Sequence, residues 1–328
     1  MKYIELFAGI GGFRLGIENA YLRRLQQNNT KRPEELHNIK NKLGKWECVY
    51  TNEWNKYAAQ IYEKNYEKPD TRDITKVKAK EIPDHDLLTA GFPCQAFSIA
   101  GKRGGFNDTR GTLFFDIARI AKEKRPKYLL LENVKGLLSH DNGRTFKTII
   151  STLTELGYDT EWQVLNSKNF GVPQNRERVF IIGHLGGIGR PKVFPIGEAT
   201  KGFIKVCARG KHQQDIVYDK EGILNLPAGT HGSTPHLTKI ADYRGDEGLR
   251  IRKNNITPTL KARSESEDHY NSILAIKDSK IRRLTPTECE RLQGFPDGWT
   301  EGISDTQRYK CLGNAVTTNV ITAIIKRI

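Results

Sequence analysis

Short β-rich runs alternate with helical patterns through the first half of the chain, and this alternation constrains the fold more than any other feature. The runs expected to form strands are Tyr3–Phe7, Glu47–Asn52, Leu87–Ala90, Tyr128–Glu132 and Val179–Gly183. Helical patterns such as Leu113–Lys124 and Thr145–Leu156 lie between them. Strands that alternate with helices form βαβ units, in which the strands are parallel. We therefore predict an α/β fold with a doubly wound, mostly parallel sheet and helices on both faces.

The residue composition and the periodicity of the sequence change after about Leu185. Glycines, prolines and polar residues become dense, and helical periodicity fades until about Ile276. This pattern predicts a second, smaller domain of loops and short strands. Regular patterns return with Thr285–Leu292 and with a last helix, Ala315–Lys326.

The 328-residue chain is strongly basic. Lys and Arg number 53 against 38 acidic residues, which gives a formal net charge of +15. Such an excess favours a polyanionic partner, because each cation that faces a phosphate releases a condensed counterion. A generally basic surface explains the charge equally well, so charge alone does not identify the partner.

The cysteines and the hydropathy of the chain exclude several classes of protein. The five cysteines are odd in number and scattered, with no CxxC pair and no histidine pair at zinc spacing. Neither a disulfide framework nor a metal site is therefore predicted. The sequence shows no secretion signal and no apolar segment long enough to span a bilayer, so we expect no membrane association and a cytoplasmic location.

A glycine-rich turn follows the first predicted strand. It comprises Phe7, Ala8, Gly9, Ile10, Gly11 and Gly12. Glycines at a strand-to-helix turn let the backbone approach a nucleotide, although a purely structural turn explains the pattern nearly as often. Glu53 ends the second strand, where an acidic residue typically binds a ribose diol, and Trp54 offers a ring face for an adenine. Asp73 and Ile74 are expected at the end of the next strand, where a carboxylate can accept from an adenine amino group.

The distance from this turn to Glu53 exceeds the usual twenty or so residues. The basic stretch Tyr21–Lys45, which we expect to be partly helical, accounts for the excess. It makes a nicotinamide-dependent dehydrogenase a less natural interpretation.

Cys94 follows a proline at the carboxyl end of the third predicted strand, in the sequence Gly91-Phe92-Pro93-Cys94. In parallel α/β folds this edge of the sheet carries the chemistry. The other four cysteines are expected to be buried and inert, the common fate of this residue type. The glycine-rich, basic stretch Ala100–Phe106 suits a loop that closes on a phosphate backbone.

Charged side chains are expected at the same edge. Glu132 lies at the end of another predicted strand, where a carboxylic acid can bond to a ring nitrogen and amino group of a base. Arg176 and Arg178 precede the strand Val179–Gly183, although each alone could be an ordinary surface cation. A cysteine, a glutamate and an arginine at one edge form a constellation of nucleophile, acid and anion clamp.

The order of these motifs resembles the bacterial DNA cytosine-5 methyltransferases of restriction–modification systems, and the catalytic half is most similar to the HhaI-type enzymes. The blocks that carry the resemblance are FAGIGG from Phe7, NEW from Asn52, DIT from Asp73, GFPCQAFS from Gly91, RGTLFFD from Arg110, LENV from Leu131, QNRER from Gln174, RRLTPTECERLQGFPD from Arg282 and LGNAV from Leu312. The stretch from about Gly186 to Ile276 matches weakly, as the family's variable target-recognition region does.

The resemblance implies roles for individual residues. Cys94 would be the nucleophile, Glu132 and Arg178 would contact a flipped cytosine, and Arg176 would support them. The expected S-adenosylmethionine contacts are Phe7, Ala8, Gly9, Ile10, Gly11, Gly12, Glu53, Trp54, Asp73, Ile74, Gly91, Pro93, Leu113, Asn314, Ala315 and Val316. The expected DNA contacts are Gln95, Ser98, Lys102, Arg103, Arg244, Arg250, Arg252, Thr259 and Arg263. No metal is expected.

The resemblance also implies an organisation and a set of partners. Residues 1–185 with 304–328 would form a catalytic and cofactor-binding domain with the Rossmann-like methyltransferase fold, and the C-terminal helix would pack back on it. Residues 186–303 would form the target-recognition domain and hinge. Double-stranded DNA would be the substrate of a monomer associated with the bacterial nucleoid, and a cognate restriction endonuclease is a further expected partner.

Three alternatives stay open at this point. A tRNA cytosine-5 methyltransferase would share the catalytic blocks but carry a different target region. A catalytically inactive DNA-binding regulator would typically lose the cysteine or the glutamate, and this chain has both. A dehydrogenase would leave Pro93-Cys94 and the two arginines without a role.

Overall fold

The computed structural model of the chain describes residues 1–27, 46–93, 113–186, 192–196, 239–244, 248–251, 257–260, 273–277 and 280–328. The chain divides into two compact units. The first consists of Met1–Leu165, Glu177–Ile196 and Val320–Ile328, and the second of Asn166–Arg176 and Gly197–Asn319.

A six-stranded sheet forms the centre of the first unit. Its strands are β1 (Lys2–Leu6), β2 (Glu47–Asn52), β3 (Leu87–Gly91), β4 (Tyr128–Val134), β5 (Tyr158–Asn166) and β6 (Glu177–Leu185), in the spatial order β2-β1-β3-β4-β6-β5. β1 runs parallel to β2 and β3, β4 runs parallel to β3, and β6 runs antiparallel to β4. The predicted α/β fold with a mostly parallel sheet is therefore confirmed.

The central strands β1, β3 and β4 are buried except at their ends. In β4, Leu129, Leu130 and Leu131 are consecutive and fully buried, so the sheet is covered on both faces. The helices of this unit are α1 (Gly12–Gln27), α2 (Lys56–Asn65), α3 (Leu113–Lys124) and α4 (Arg144–Glu155). In α3, Phe114, Ile117 and Ala121 recur at helical spacing and are buried; a fully buried side chain of phenylalanine or isoleucine size stabilises the fold by about 1.5–3 kcal/mol.

The second unit contains a four-stranded antiparallel sheet. Its strands are β7 (Lys239–Arg244), β8 (Gly248–Ile251), β9 (Ile273–Lys277) and β10 (Lys280–Arg283), in the order β10-β9-β7-β8. Helix α5 (Pro286–Leu292) follows, and Thr285 caps it in a reciprocal capping box with Glu288. Helix α6 (Asp305–Asn314) comes next.

The last helix, α7 (Thr318–Ile325), begins three residues later than the sequence predicts. Ala315 has extended backbone angles (φ −63°, ψ 148°) where α6 ends, so the helix cannot start there. The hydroxyl of Thr322 donates to the carbonyl oxygen of Gly16 at 3.0 Å. The prediction that the C-terminal helix packs on the first domain is therefore confirmed.

The compact units do not follow the predicted domain boundaries everywhere. Asn166–Arg176 and residues 304–319 belong to the second unit, whereas the sequence places them with the first domain. The assignment of catalysis to one unit and recognition to the other stays a prediction. Of the basic stretch Tyr21–Lys45, residues up to Gln27 continue α1, which agrees with partial helicity, and the rest lies outside the described residues.

Candidate active site at the carboxyl edge of the sheet

The glycine-rich turn leaves β1 in an unusual backbone conformation. Phe7, Gly9 and Gly11 have φ values of +53°, +57° and +85°, in the left-handed region that favours glycine. A Cβ atom on Gly11 would lie 2.7 Å from the ring of Tyr66, so no larger residue fits there without displacement of that ring. A Cβ atom on Gly9 would meet nothing within 4 Å, so there is open space beside the turn near the N-terminal end of α1, as a nucleotide-binding turn requires.

Glu53 closes this turn from the end of β2. Its Oε2 accepts a hydrogen bond from the backbone N–H of Gly9 at 2.7 Å, and its Oε1 accepts from that of Asn55 at 2.7 Å. Burial raises the pKa of the Glu53 carboxyl, and the two backbone bonds oppose that rise. Each carboxylate oxygen has a second lone pair, so the group can accept from ribose hydroxyls as well. Trp54 is 71% exposed, and one ring face is therefore open to a planar ligand.

Asp73 and Ile74 do not end a strand, contrary to the sequence prediction. They begin a single 3-10 turn, Ile74–Lys76, which Asp73 caps by accepting from the N–H and hydroxyl of Thr75. These bonds lower the pKa of the Asp73 carboxyl, which is therefore ionised at neutral pH. Arg119 in α3 donates to the carbonyl oxygens of Ile74 and Val77 and holds the turn from the other side.

The segment that leads to Cys94 is fixed by β4. Gly91 pairs with Glu132 across the parallel strands, and a Cβ atom on Gly91 would lie 3.4 Å from Glu132 Oε2. The side chain of Asn133 donates to the carbonyl oxygen of Phe92 at 2.9 Å, and both residues are buried. The acid and the last described residues before the cysteine are thus held together. Cys94 itself lies outside the described residues.

Glu132 and Arg178 form an ion pair at this edge. Arg178 Nε lies 3.0 Å from Glu132 Oε1, and the two side chains are only 15% and 11% exposed. They come from antiparallel neighbours, since Val134 in β4 pairs with Arg178 in β6. A second pair, Lys135 Nζ with Glu177 Oε2 at 3.0 Å, lies beside it and is exposed. Of the cysteine, glutamate and arginine predicted at this edge, the glutamate and the arginine are therefore in direct contact.

Arg176 has different surroundings from Arg178. It is fully buried in the second unit, and its guanidinium donates to the carbonyl oxygens of Leu260, Gly313 and Ala315 at 3.3, 3.1 and 2.8 Å. Contacts to three backbone carbonyls are those of a structural cross-link. They favour a role in holding the LGNAV segment over direct support of a base.

The remaining predicted cofactor residues fall in both units. Pro93 is exposed, and Leu113 begins α3 half-buried against the core. In the second unit Asn314 is exposed, whereas Ala315 and Val316 are buried. Their contacts with a cofactor stay predictions.

Most predicted DNA contacts are not described. Gln95, Ser98, Lys102, Arg103, Arg252 and Arg263 lie outside the described residues, and so do the side chains of Arg244 and Arg250. Thr259 is described, and its hydroxyl donates to the carbonyl oxygen of Asn175 at 2.8 Å. Thr259 and Leu260 are thereby joined to the QNRER segment within the second unit.

In the described part of the chain, histidine, cysteine, aspartate and glutamate side chains form no cluster that could hold a metal ion. No helix of that part is long and apolar enough to cross a membrane.

Sequence reasoning missed two asparagines that hold this site. Asn52 precedes Glu53, and Asn133 follows Glu132. The sequence signal that could have identified these two asparagines is their position beside a charged residue at a strand end. Their bonding partners lie tens of residues away along the chain, which sequence alone cannot show.

Comparison with known proteins agrees with this geometry. Residues 1–328 match the family described as C-5 cytosine-specific DNA methylase. The chain is 38% identical over 336 residues to the Type II methyltransferase M.HhaI of Haemophilus parahaemolyticus, covering 99% of this chain and 93% of that protein. It is 41% identical over 334 residues to M.SsoII of Shigella sonnei, covering 100% and 79%. The crystal structure of the S. pombe Dnmt2 methyltransferase, 19% identical, has a TM-score of 0.64 over 99% of this chain and 97% of that one, which concerns the fold alone.

Proposed function

The chain belongs to the family of C-5 cytosine-specific DNA methylases, and from that premise we propose that it methylates one cytosine in a specific duplex DNA sequence through a covalent adduct on Cys94. Membership confirms the resemblance carried by the motifs. The chain is a Type II DNA cytosine-5 methyltransferase that uses S-adenosylmethionine. The observation that carries the finer proposal is the Glu132–Arg178 pair beside Gly91, three residues before Cys94.

The chemistry explains why a cysteine is needed. Carbon 5 of cytosine is too weak a nucleophile to attack a methyl donor directly. Addition of the Cys94 thiolate to carbon 6 makes carbon 5 an enamine carbon that can take the methyl group. S-adenosylmethionine, when bound, supplies that methyl group from its sulfonium. The proton on carbon 5 then passes to water, and the thiolate leaves carbon 6, which restores the aromatic ring.

Glu132 and Arg178 are suited to stabilise the ring during this addition. Negative charge develops on ring nitrogen 3 and on the carbonyl oxygen as the thiolate adds. The Glu132 carboxyl can hold a proton at nitrogen 3, and the Arg178 guanidinium has N–H donors beyond those bonded to Glu132 and Glu177 for the carbonyl oxygen. Mutual pairing holds the two groups in place before the base arrives, so little reorganisation is needed.

The target base must leave the duplex to reach these groups. Carbon 5 and carbon 6 are inaccessible in a stacked helix, and extrusion of a paired base costs a few kcal/mol. The low exposure of the Glu132–Arg178 pair, 11% and 15%, supports this proposal, because a stacked base presents no free ring edge that could contact such side chains.

The residues around the glycine-rich turn fit the cofactor. Glu53 would hold the ribose hydroxyls, Trp54 would stack on the adenine, and Asp73 would accept from the adenine amino group. The support is the buried Glu53 carboxylate, the exposed Trp54 ring and the left-handed turn at Gly9, where a Cβ atom would meet nothing within 4 Å.

Replacement of Glu53 by alanine is expected to raise the dissociation constant for S-adenosylhomocysteine about 10- to 100-fold, because hydrogen bonds to a charged group are worth about 1.5–3 kcal/mol. DNA affinity should stay unchanged, and separate calorimetric titrations with each ligand measure both. Glu47→Ala is the matched control, since Glu47 is an exposed glutamate at the first residue of β2, the strand that Glu53 follows. Equal loss of both affinities in Glu53→Ala would indicate a folding defect instead.

We also propose that 186–276 selects the DNA sequence that is methylated. Loops on a rigid scaffold are where recognition usually lies, and arginine reading guanine is the commonest specific contact. The four-stranded sheet of the second unit, which includes β7 and β8, would be that scaffold, and Arg244, Arg250, Arg252 and Arg263 are candidate readers.

Exchange of 186–276 for the same segment of a relative with a known target is expected to transfer that target. The chimera should methylate the donor's sequence, mapped by sequencing of DNA methylated by the purified protein. An active chimera that still marks the original sequence would show that recognition lies elsewhere, with Tyr21–Lys45 as the next candidate. The parent enzyme, assayed in parallel on DNA and tRNA with labelled cofactor, tests whether duplex DNA is the substrate.

A cognate restriction endonuclease is the expected partner, which the Type II names of the relatives support. The expected location is the cytoplasm near the nucleoid, which a DNA substrate supports. The enzyme would act as a monomer on DNA, because a single chain carries the nucleophile, the acid and the cofactor residues.

A further inference from the structure

Asn52 makes three hydrogen bonds to two other segments of the cofactor site. It is 2% exposed and is the last residue of β2. Its carbonyl oxygen accepts from the N–H of Ala8 in the glycine-rich turn at 3.1 Å. Its side-chain amide donates to the carbonyl oxygens of Asp70 and Arg72 at 3.0 and 2.9 Å. One residue therefore connects the turn, the end of β2 and the segment that leads into Asp73.

The two side-chain bonds use the full donor capacity of an asparagine. An amide has two N–H donors, and here each meets one backbone carbonyl oxygen. Asp70 is also held by backbone bonds, because its carbonyl oxygen accepts from Glu53 N–H at 3.0 Å and its N–H donates to Thr51. Arg72 has no such backbone–backbone bond among those described. Its N–H donates to Asp70 Oδ1 at 3.0 Å, and the amide of Asn52 holds its carbonyl oxygen, in the peptide that leads into Asp73.

This restraint matters because of what lies on either side of it. Glu53, the next residue, would hold the ribose, and Asp73, one residue after Arg72, would hold the adenine amino group. The distance between ribose and adenine contacts in a bound nucleoside is fixed by covalent bonds. The two carboxylates must therefore keep a fixed separation, and Asn52 bridges their two segments.

We infer that Asn52 is a positioning residue for the cofactor, which sets Asp73 against Glu53 so that adenine and ribose are recognised together. This inference rests on the proposed roles of Glu53 and Asp73. Arg119 supports the same turn through the carbonyl oxygens of Ile74 and Val77, after Asp73, so it does not replace the bond to Arg72. Loss of Asn52 would release the carbonyl oxygen of Arg72, just before Asp73, and leave the Arg119 bonds after Asp73 in place.

The test compares two ligands in calorimetric titrations without DNA. S-adenosylhomocysteine carries the adenine amino group, and S-inosylhomocysteine has an oxygen in its place. Asn52→Ala is expected to raise the dissociation constant for the adenosyl ligand roughly tenfold or more, and to change that for the inosyl ligand much less. Asn52→Asp should be at least as harmful, because a carboxylate would face the two carbonyl oxygens. Affinity for duplex DNA should not change, and saturating S-adenosylmethionine should restore kcat.

Asn65→Ala is the matched control, since the Asn65 side chain also donates to a backbone carbonyl, that of Ile61, within helix α2. It should leave both ligand affinities unchanged. Equal loss of affinity for both ligands in Asn52→Ala, or a lower melting temperature with no change in either affinity, would overturn the inference. Glu53→Ala and Asp73→Ala distinguish a wrong cofactor site from a wrong role of Asn52. If neither variant weakens binding of S-adenosylhomocysteine, the proposed cofactor site is wrong. If both weaken it and Asn52→Ala does not, only the role of Asn52 is wrong.

Discussion

Cys94→Ser is expected to lower methyl transfer to DNA by at least roughly 10³-fold, because an unactivated hydroxyl cannot replace a thiolate as the attacking group. Binding of S-adenosylhomocysteine should survive, since Cys94 is proposed to act on the base and the cofactor contacts lie on other residues. Initial rates with labelled S-adenosylmethionine and calorimetric titration of the cofactor measure the two effects.

A mechanism-based trap makes the same point chemically. With 5-fluorocytosine at the target position, the native enzyme should form a stable adduct, because fluorine cannot leave carbon 5 as a proton does. Peptide mapping should place the adduct on Cys94, and Cys94→Ser should form none. Cys48→Ser is the matched control, since burial raises the pKa of the Cys48 thiol to about 11 and keeps it protonated at neutral pH. Substantial methylation by Cys94→Ser would falsify the assignment.

The fold was predictable where the pattern of apolar residues is local. Helix α3 has the predicted bounds, because Phe114, Ile117 and Ala121 mark one helical face within eight residues. The edge strand β5 was not predicted, because its polar side chains obscure the apolar pattern expected of a strand. Glu161 accepts from the N–H groups of Val193 and Phe194, and such partners some thirty residues away cannot be read from a sequence window.

The site was predictable to the extent that strand ends determine it. Glu53 follows one predicted strand and Glu132 ends another, and the carboxyl ends of parallel strands share one edge. Residue patterns alone could not separate Arg176 from Arg178, since both belong to one short motif, and only the resemblance gave them different roles. Burial separates them, because Arg176 bonds to backbone carbonyls of the second unit while Arg178 pairs with Glu132.

Glu132→Gln is expected to lower kcat by about 10²–10⁴-fold, the usual contribution of a general acid. Glutamine is nearly isosteric, and its amide oxygen can still accept from Arg178 Nε, now 3.0 Å from Glu132 Oε1. What it loses is the proton that a carboxyl group can hold at ring nitrogen 3. Cofactor affinity should not change, since Glu132 is proposed to contact the base.

Two variants separate chemistry from stability in this prediction. Glu132→Ala leaves the Arg178 guanidinium without its carboxylate in a mostly buried position, which should lower the free energy of unfolding by roughly 1–3 kcal/mol. Glu132→Ala/Arg178→Met removes both charges and should recover much of that stability, because a buried pair replaced as a whole costs little. Activity should not recover with it. Glu177→Gln is the matched control, since Glu177 lies in the QNRER motif beside Arg178 and pairs with Lys135 at an exposed position. This variant should change kcat less than threefold. If the double variant regained activity along with stability, Glu132 would hold the fold and not act on the base.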